Sequence, residues 1–122
     1  FGLVCSVQDD LGIGQKLEKI GAAVDILSPM VYPSHYYKGT YGLANPNLAP
    51  YETVTQSMID AKNRLAGIDV KLRPWLQDFN LGSRYGREQI MAQIKALNDQ
   101  GIRDWLFWNP SCRYDAGKYP TE

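Results

Sequence analysis

The sequence predicts an α/β fold built from parallel β/α units. Apolar runs alternate with amphipathic stretches in the order β-α-β-α-β-α-β, which implies parallel strands joined by right-handed crossovers. The long loops, which are polar and aromatic, follow strands rather than helices. Such loops meet at the carboxyl edge of the sheet, where α/β proteins bind ligands. Four units of this kind correspond to half of a (β/α)8 barrel, which needs about 250 residues when complete.

The first unit comprises a strand over Phe1–Val7 and a helix over Leu11–Val24. The strand prediction comes from a short apolar run that ends in polar residues. The helix prediction comes from apolar residues at spacings of 4, 3 and 4, namely Ile13, Leu17, Ile20 and Val24.

The second unit has a strand over Asp25–Tyr32 and then a loop over Pro33–Pro50. A connection this long is usually functional or disordered, and its three tyrosines favour an ordered, functional loop. Pro50 suits the first turn of a helix that Gly67 ends. The buried stripe of this helix is predicted to be Tyr51, Val54, Met58, Ala61 and Leu65.

The remaining units have strands over Asp69–Gln77 and Arg103–Asn109. A loop over Asp78–Gly86 separates the first of these strands from a helix over Arg87–Gln100. This helix is predicted to bury Ile90, Met91, Ile94 and Leu97. Residues 110–122 show no periodicity.

The composition limits the classes of function that the chain could have. At 122 residues it forms one domain, and its 13 acidic and 13 basic residues give no field that attracts nucleic acid or an anionic membrane. No apolar run reaches the ~18–20 residues of a membrane span. The first residue is Phe1 rather than Met, so we expect a piece of a longer protein.

The two cysteines lie near opposite ends of the chain and have no metal-ligand spacing. Two free thiols are therefore the expectation, and a single disulfide between Cys5 and Cys112 is the alternative. This pattern leaves the compartment open. An extracytoplasmic or cell-envelope location is one possibility for a longer protein.

Side chains alternate between the two faces of the strand over Asp69–Gln77. Leu72, Pro74 and Leu76 share the face expected to pack against helices. The opposite face has Arg73, Trp75 and Gln77. That polar face is interpreted either as a satisfied interior network or as part of a binding site.

Asp78 follows this strand and is the best-placed acid in the chain. Paired carboxyl groups hydrolyse glycosidic bonds, one donating a proton while the other attacks or activates water. The alternative for Asp78 is a loop cap or a salt bridge. Asp9 and Asp10 occupy the same position after the first predicted strand, and we expect them to cap turns.

His35 is the single histidine and lies beside Ser34 in a tyrosine-rich loop. Without a second histidine or cysteine nearby, it is expected to hydrogen-bond to a ligand or to the loop rather than bind a metal. A Ser-His nucleophile pair is rejected because no separate acid is in place. Gly12 and Gly14 lack the further residues of a phosphate-binding motif. No metal and no cofactor are therefore expected.

Aromatic residues are concentrated at or after the predicted strand ends. Flat rings beside amides such as Gln77 and Asn109 suit a sugar, since its C–H face stacks on rings and its hydroxyls need hydrogen-bond partners. Single-stranded nucleic acid also stacks on such rings, but a neutral chain lacks the basic groove that it needs. The rings concerned are Tyr32, Tyr36, Tyr37, Tyr41, Trp75, Trp108 and Tyr114.

Several short motifs are distinctive across nearly the whole chain. They are Gly12–Gln15, Asp25–His35 (DILSPMVYPSH), Tyr41–Gly42, Pro46–Asn47, Pro50–Glu52, Arg73–Phe79 (RPWLQDF) and Trp108–Asn109. Together they resemble the bacterial putative glycosyl hydrolase domain family of (β/α)8-barrel proteins. The resemblance implies that this chain is the C-terminal half of such a barrel, about strands five to eight.

The same resemblance limits what this chain could catalyse alone. In the family an acidic motif similar to FDYIRFP ends strand four, and this chain has no such motif. Asp78 could therefore supply the acid/base but not the second carboxylate. The implied substrate is a polysaccharide or a glycan of the cell envelope.

The sequence thus predicts a glycoside hydrolase domain that is inactive as an isolated half and self-associates through open barrel edges. Asp78 is the candidate acid/base. The candidate sugar-binding residues are Tyr32, His35, Tyr36, Trp75, Gln77, Trp108 and Asn109. One alternative is a non-catalytic glycan-binding or envelope scaffold protein. Another is a sugar-phosphate enzyme with a phosphate site at Gly82, Ser83, Arg84 and Gly86.

Overall fold

The computed structural model describes residues 1–121 and shows an α/β chain. In order, the helices and strands are α1 (Leu17–Gly21), β1 (Ile26–Leu27), α2 (Pro50–Arg64), β2 (Lys71–Leu72), β3 (Trp75–Gln77), α3 (Arg87–Asp99) and β4 (Leu106–Trp108). Short 3-10 turns lie at Gly2–Cys5, Pro33–His35, Thr40–Gly42, Pro46–Leu48 and Ala116–Lys118. No described helix has the length and apolar character needed to cross a membrane.

The strands form two parallel pairs, as predicted. β1 pairs with β2, and β3 pairs with β4. A bridge between Met30 and Trp75 joins the two pairs, and the Trp75 N–H also donates to Pro29 O at 2.9 Å. The break between β2 and β3 falls at Arg73 and Pro74, where the proline has no N–H for a ladder. The parallel α/β class is confirmed, and the half-barrel arrangement stays a prediction.

The predicted first strand is wrong, because Gly2–Cys5 forms a 3-10 turn. The turn packs so closely that a Cβ at Gly2 would lie 2.3 Å from Met30 O. Farther along, the Arg64 guanidinium donates to the carbonyls of Val4 and Val7. These carbonyl groups therefore receive their hydrogen bonds from a side chain and not from a neighbouring strand.

The first helix is also shorter than predicted, since it covers Leu17–Gly21 rather than Leu11–Val24. Leu11 and the two glycines that follow it have positive φ values, which end any helix there. Ile13 and Val24 are consequently exposed. Arg64 fixes this helix to α2 through two hydrogen bonds to the Glu18 carboxylate, at 2.8 and 2.7 Å.

The two long helices confirm their predicted stripes. α2 buries Val54, Met58 and Ala61, Leu65 is buried directly after its last residue, and α3 buries Ile90, Ile94 and Leu97. Tyr51 and Met91 are half-buried against the same core. α2 and α3 pack against one another and against one face of the strands, where Leu76 is fully buried and Leu72 partly so.

The opposite face of the strands is open. Register places Met30 and Leu106 on either side of Trp75, and Gln77 beside Trp108. We call Ile26, Met30, Trp75, Leu106 and Trp108 the open sheet face. Ile26, Met30 and Trp108 are 40%, 39% and 41% exposed. Leu72 and Leu76 lie on the packed face and Trp75 lies on the open one, as predicted, whereas Gln77 is fully buried.

Both cysteines are free, as expected. Cys5 is buried and Cys112 is exposed. Burial raises the pKa of the Cys5 thiol to about 12, so this thiol is neutral and unreactive at physiological pH.

Candidate functional site

The candidate site lies where the parallel strands end. Because β1, β3 and β4 run in the same direction, the segments that follow them meet at one edge of the sheet. These segments contribute Tyr32 and His35 after β1, Asp78 and Phe79 after β3, and Asn109 after β4.

An aromatic cluster forms beside the end of β1. The rings of Tyr32, His35 and Phe79 meet edge to face, with centroids 5.4 to 5.9 Å apart. Tyr32 and His35 also line a small cavity of about 190 Å³ together with Phe1 and Met30. Burial raises the pKa of Tyr32 to about 12, so its phenol stays neutral and can donate a hydrogen bond.

His35 is exposed, and its Nδ1 shares a 3.0 Å hydrogen bond with the Ser34 hydroxyl. Among the described residues, no carboxylate is hydrogen-bonded to this histidine. The arrangement therefore has no acid to orient the ring, which agrees with the rejection of a Ser-His nucleophile pair.

A second aromatic pair lies on the open sheet face. The rings of Trp75 and Trp108 are 6.1 Å apart and nearly perpendicular, at 88°. Trp75 is half-buried while Trp108 is exposed. An exposed indole held by an adjacent ring can stack on a flat apolar surface of a ligand.

Gln77 is fully buried and connects two loops of the site. Its Oε1 accepts the Ser34 N–H at 3.1 Å, and its Nε2 donates to Phe79 O at 3.0 Å. Its own backbone N–H and C=O are bound by the side chain of Gln93, each at 2.9 Å. This geometry makes Gln77 a residue that positions the loops of His35 and Phe79.

Asp78 is fully buried, and both of its carboxylate oxygens are bound. Oδ1 forms an ion pair with Lys118 Nζ at 2.8 Å, and Oδ2 accepts a hydrogen bond from the Tyr119 hydroxyl. Burial and the hydrogen bond to Asp78 raise the pKa of Tyr119 well above its ordinary value, so the phenol stays protonated as the donor.

Asn109 holds the turn that follows β4. Its Nδ2 donates to Asp78 O at 2.7 Å and to Arg113 O at 2.9 Å. Its Oδ1 accepts from the N–H and the hydroxyl of Ser111. The amide therefore ties the backbone of Asp78 to the start of the C-terminal segment.

Tyr36 is not at the surface of the site. It is buried, and its hydroxyl shares a 2.9 Å hydrogen bond with Ser57 on α2. Tyr41 also reaches Ser57, at 3.1 Å, and forms a further hydrogen bond with Ser6. This internal network fixes the long loop after β1 to α2, below the aromatic cluster.

The other polar candidates have local roles. Asp9 and Asp10 accept the N–H groups of Leu11 and Gly12, each at 2.9 Å, as expected of turn caps. In the loop considered for phosphate, the Gly86 N–H donates to Gln89 at 3.0 Å. The Tyr85 N–H likewise donates to Asn80, at 2.8 Å, so these two donors are already used within the chain.

Comparison with known proteins supports one family. The family described as Putative glycosyl hydrolase domain matches residues 1–114, which is most of the chain. Searches of curated proteins and of solved structures found no match. The resemblance drawn from the sequence motifs is confirmed. This chain belongs to the putative glycosyl hydrolase domain family.

Proposed function

We propose that residues 1–122 form the C-terminal half of a (β/α)8-barrel glycoside hydrolase, corresponding to about strands five to eight. The substrate would be a polysaccharide or an envelope glycan. The observation that best supports this is the grouping of aromatic rings around the strand end that presents Asp78. Family membership supports the same class of activity.

In this proposal the sugar contacts the exposed rings. Trp108, backed by Trp75, offers a flat surface for the C–H face of a sugar. Tyr32 and His35 line a separate small cavity and can bind hydroxyl groups. Gln77, Asn109 and Tyr36 contribute indirectly, since their polar groups hold the loops of the site.

Asp78 is proposed as the acid/base, working with a second carboxylate from outside this chain. A general acid must hold a proton and reach the glycosidic oxygen, whereas here Lys118 and Tyr119 bind the carboxylate. The catalytic form therefore requires that these two contacts be released. The isolated chain is proposed to be inactive.

The isolated chain is also proposed to self-associate. An isolated half barrel leaves the edges of its sheet unpaired, and the strands of another copy can pair with them. We expect light scattering to give a mass at least twice that of the 13.8 kDa chain at micromolar concentration. A stable monomer would contradict this proposal.

A non-catalytic glycan-binding protein is the second candidate, and the burial of Asp78 favours it. With both of its carboxylate oxygens bound, Asp78 has no free oxygen to offer a ligand, whereas the exposed aromatic rings can still stack on a sugar. This candidate predicts saturable binding of a glycan without release of product.

Binding of glycans tests what the two candidates share. We expect cell-wall oligosaccharides to change the tryptophan fluorescence of the chain saturably. Replacing the exposed ring in Trp108→Ala should weaken binding about fivefold, since aromatic contacts contribute on the order of 1 kcal/mol.

The matched control is Trp105→Phe, because Trp105 packs against the core rather than lying on the open sheet face. This variant should bind as the wild type does. If both variants bind with the affinity of the wild type, or if no glycan saturates the signal, the carbohydrate assignment is wrong.

A further inference from the structure

The C-terminal segment, residues 110–121, covers the candidate site. We call it the strap. Residues 110–117 are exposed, and Lys118 and Tyr119 are half-buried where they enter the site. The strap contains one short turn, Ala116–Lys118, in which Asp115 accepts the Gly117 N–H at 2.9 Å. Beyond the turn in which Asn109 binds Ser111 and Arg113 at its start, it contacts the rest of the chain at three places.

The first contact is with Asp78. The Lys118 ammonium and the Tyr119 hydroxyl occupy one carboxylate oxygen each, and the Asp78 side chain has no exposed surface. The ring of Tyr119 also packs against Phe107, with centroids 5.1 Å apart. Access of any ligand to this carboxylate therefore depends on Lys118 and Tyr119 moving away.

The second contact comes from Arg87 at the start of α3. Its guanidinium donates to the carbonyls of Gly117 and Tyr119, at 3.0 and 2.7 Å. Both hydrogen bonds are exposed to solvent. A cation at a helix N-terminus does not help the helix, so Arg87 stabilises the strap rather than α3.

The third contact is at the outer edge of β4. The Tyr114 hydroxyl accepts the Asn109 N–H at 3.2 Å and donates to Phe107 O at 3.4 Å. These backbone groups point away from β3, toward the side of β4 on which a further strand could bind them. Tyr114 thus covers the free edge of β4 with two long, weak hydrogen bonds.

We propose that the strap is a displaceable cover that opens to admit ligand to Asp78. Its attachment is mostly polar and solvent-exposed, and segments of this kind open at much lower free energy than a packed core. The proposal rests on the proposed function, in which Asp78 is the acid/base. It assigns Lys118, Tyr119, Arg87 and Tyr114 to one autoinhibitory contact.

The test measures access to Asp78 and does not depend on hydrolysis. The chain is treated with a water-soluble carbodiimide and glycine ethyl ester, and coupling of the amine at Asp78 is followed by mass spectrometry. Arg87→Met leaves both partners of Asp78 in place while it removes two strap hydrogen bonds. We expect coupling to rise about three- to tenfold.

The matched control is Arg84→Met, an exposed arginine in the preceding loop that makes no hydrogen bond to the described part of the strap. Its coupling should equal that of the wild type. The double variant Lys118→Met with Tyr119→Phe should raise coupling further. Hydrogen exchange of α2 monitors global unfolding in every variant.

Unchanged coupling in Arg87→Met and in the double variant would contradict the proposal that the strap is a displaceable cover. A rise in coupling that only follows the exchange of α2 would also overturn it, since access would then come from global unfolding. If coupling rises but Asp78→Asn does not change hydrolysis by the full-length protein, the proposal for the strap is supported and the proposed catalytic role of Asp78 is wrong. If hydrolysis by the full-length protein requires Asp78 but coupling rises in none of the strap variants, only the proposal for the strap is wrong.

Discussion

Gln93→Leu is expected to lower the free energy of unfolding by about 2–6 kcal/mol, since it orphans two buried backbone groups and each costs about 1–3 kcal/mol. The Gln93 side chain is fully buried and binds both the N–H and the C=O of Gln77. The backbone hydrogen bonds between β3 and the segment after β1 extend no farther along β3 than Trp75, whose C=O accepts the Val31 N–H. Gln93 therefore takes the place that a strand would fill at Gln77.

Leucine has nearly the volume of glutamine, so the loss of stability should come from the missing hydrogen bonds rather than from a cavity. Urea denaturation of the wild type and the variant measures it. Gln56→Leu is the control, because among residues 1–121 the Gln56 amide binds only Asp60, on its own helix, at 2.8 Å. The control should change stability by less than about 0.5 kcal/mol. Equal losses in the two variants would refute the role of Gln93.

The sequence predicted best the parts of the fold that depend on local pattern. The stripes of α2 and α3 were predictable because a period near 3.6 identifies the buried face of a long helix. The faces of Leu72 and Leu76 were predictable because side chains alternate along a strand. Both patterns involve residues that are close together along the chain.

The first seven residues show where this approach fails. An apolar run predicts a strand, yet Gly2–Cys5 is a 3-10 turn. The decisive contacts are the Arg64 guanidinium, 57 and 60 positions away from the carbonyls that it binds, and the close approach of Gly2 to Met30. Contacts at such separation leave no trace in local periodicity.

The sequence alone led to a proposed location for the candidate site, but it did not indicate the contacts among the residues there. Asp78, Trp75 and Trp108 were singled out because the sequence placed them at or near the ends of predicted strands. Lys118 and Tyr119, which bind Asp78, lie 40 and 41 residues later in a segment without periodicity. Phe79 belonged to a recognised motif but was not singled out, because nothing in the sequence indicated its contacts with Tyr32 and His35.

Asp78→Asn is expected to lower the turnover of the full-length protein about 10²- to 10⁴-fold, the usual contribution of a general acid/base. Asparagine has the size of aspartate, and its Oδ1 can still accept the Tyr119 hydroxyl. Lys118 is partly exposed, so its ammonium can turn to solvent when its partner becomes neutral. The loss should therefore be chemical, which matching circular dichroism and thermal unfolding of the two proteins would establish.

Release of reducing sugar from a panel of glycans and cell-wall fractions tests the central claim most directly. The full-length protein and its Asp78→Asn variant would be compared at equal concentration. Our account predicts release by the wild type and its near-complete loss in the variant. Release that is equal in both would remove Asp78 from the mechanism. Glycan binding without any release would assign the protein to the non-catalytic class.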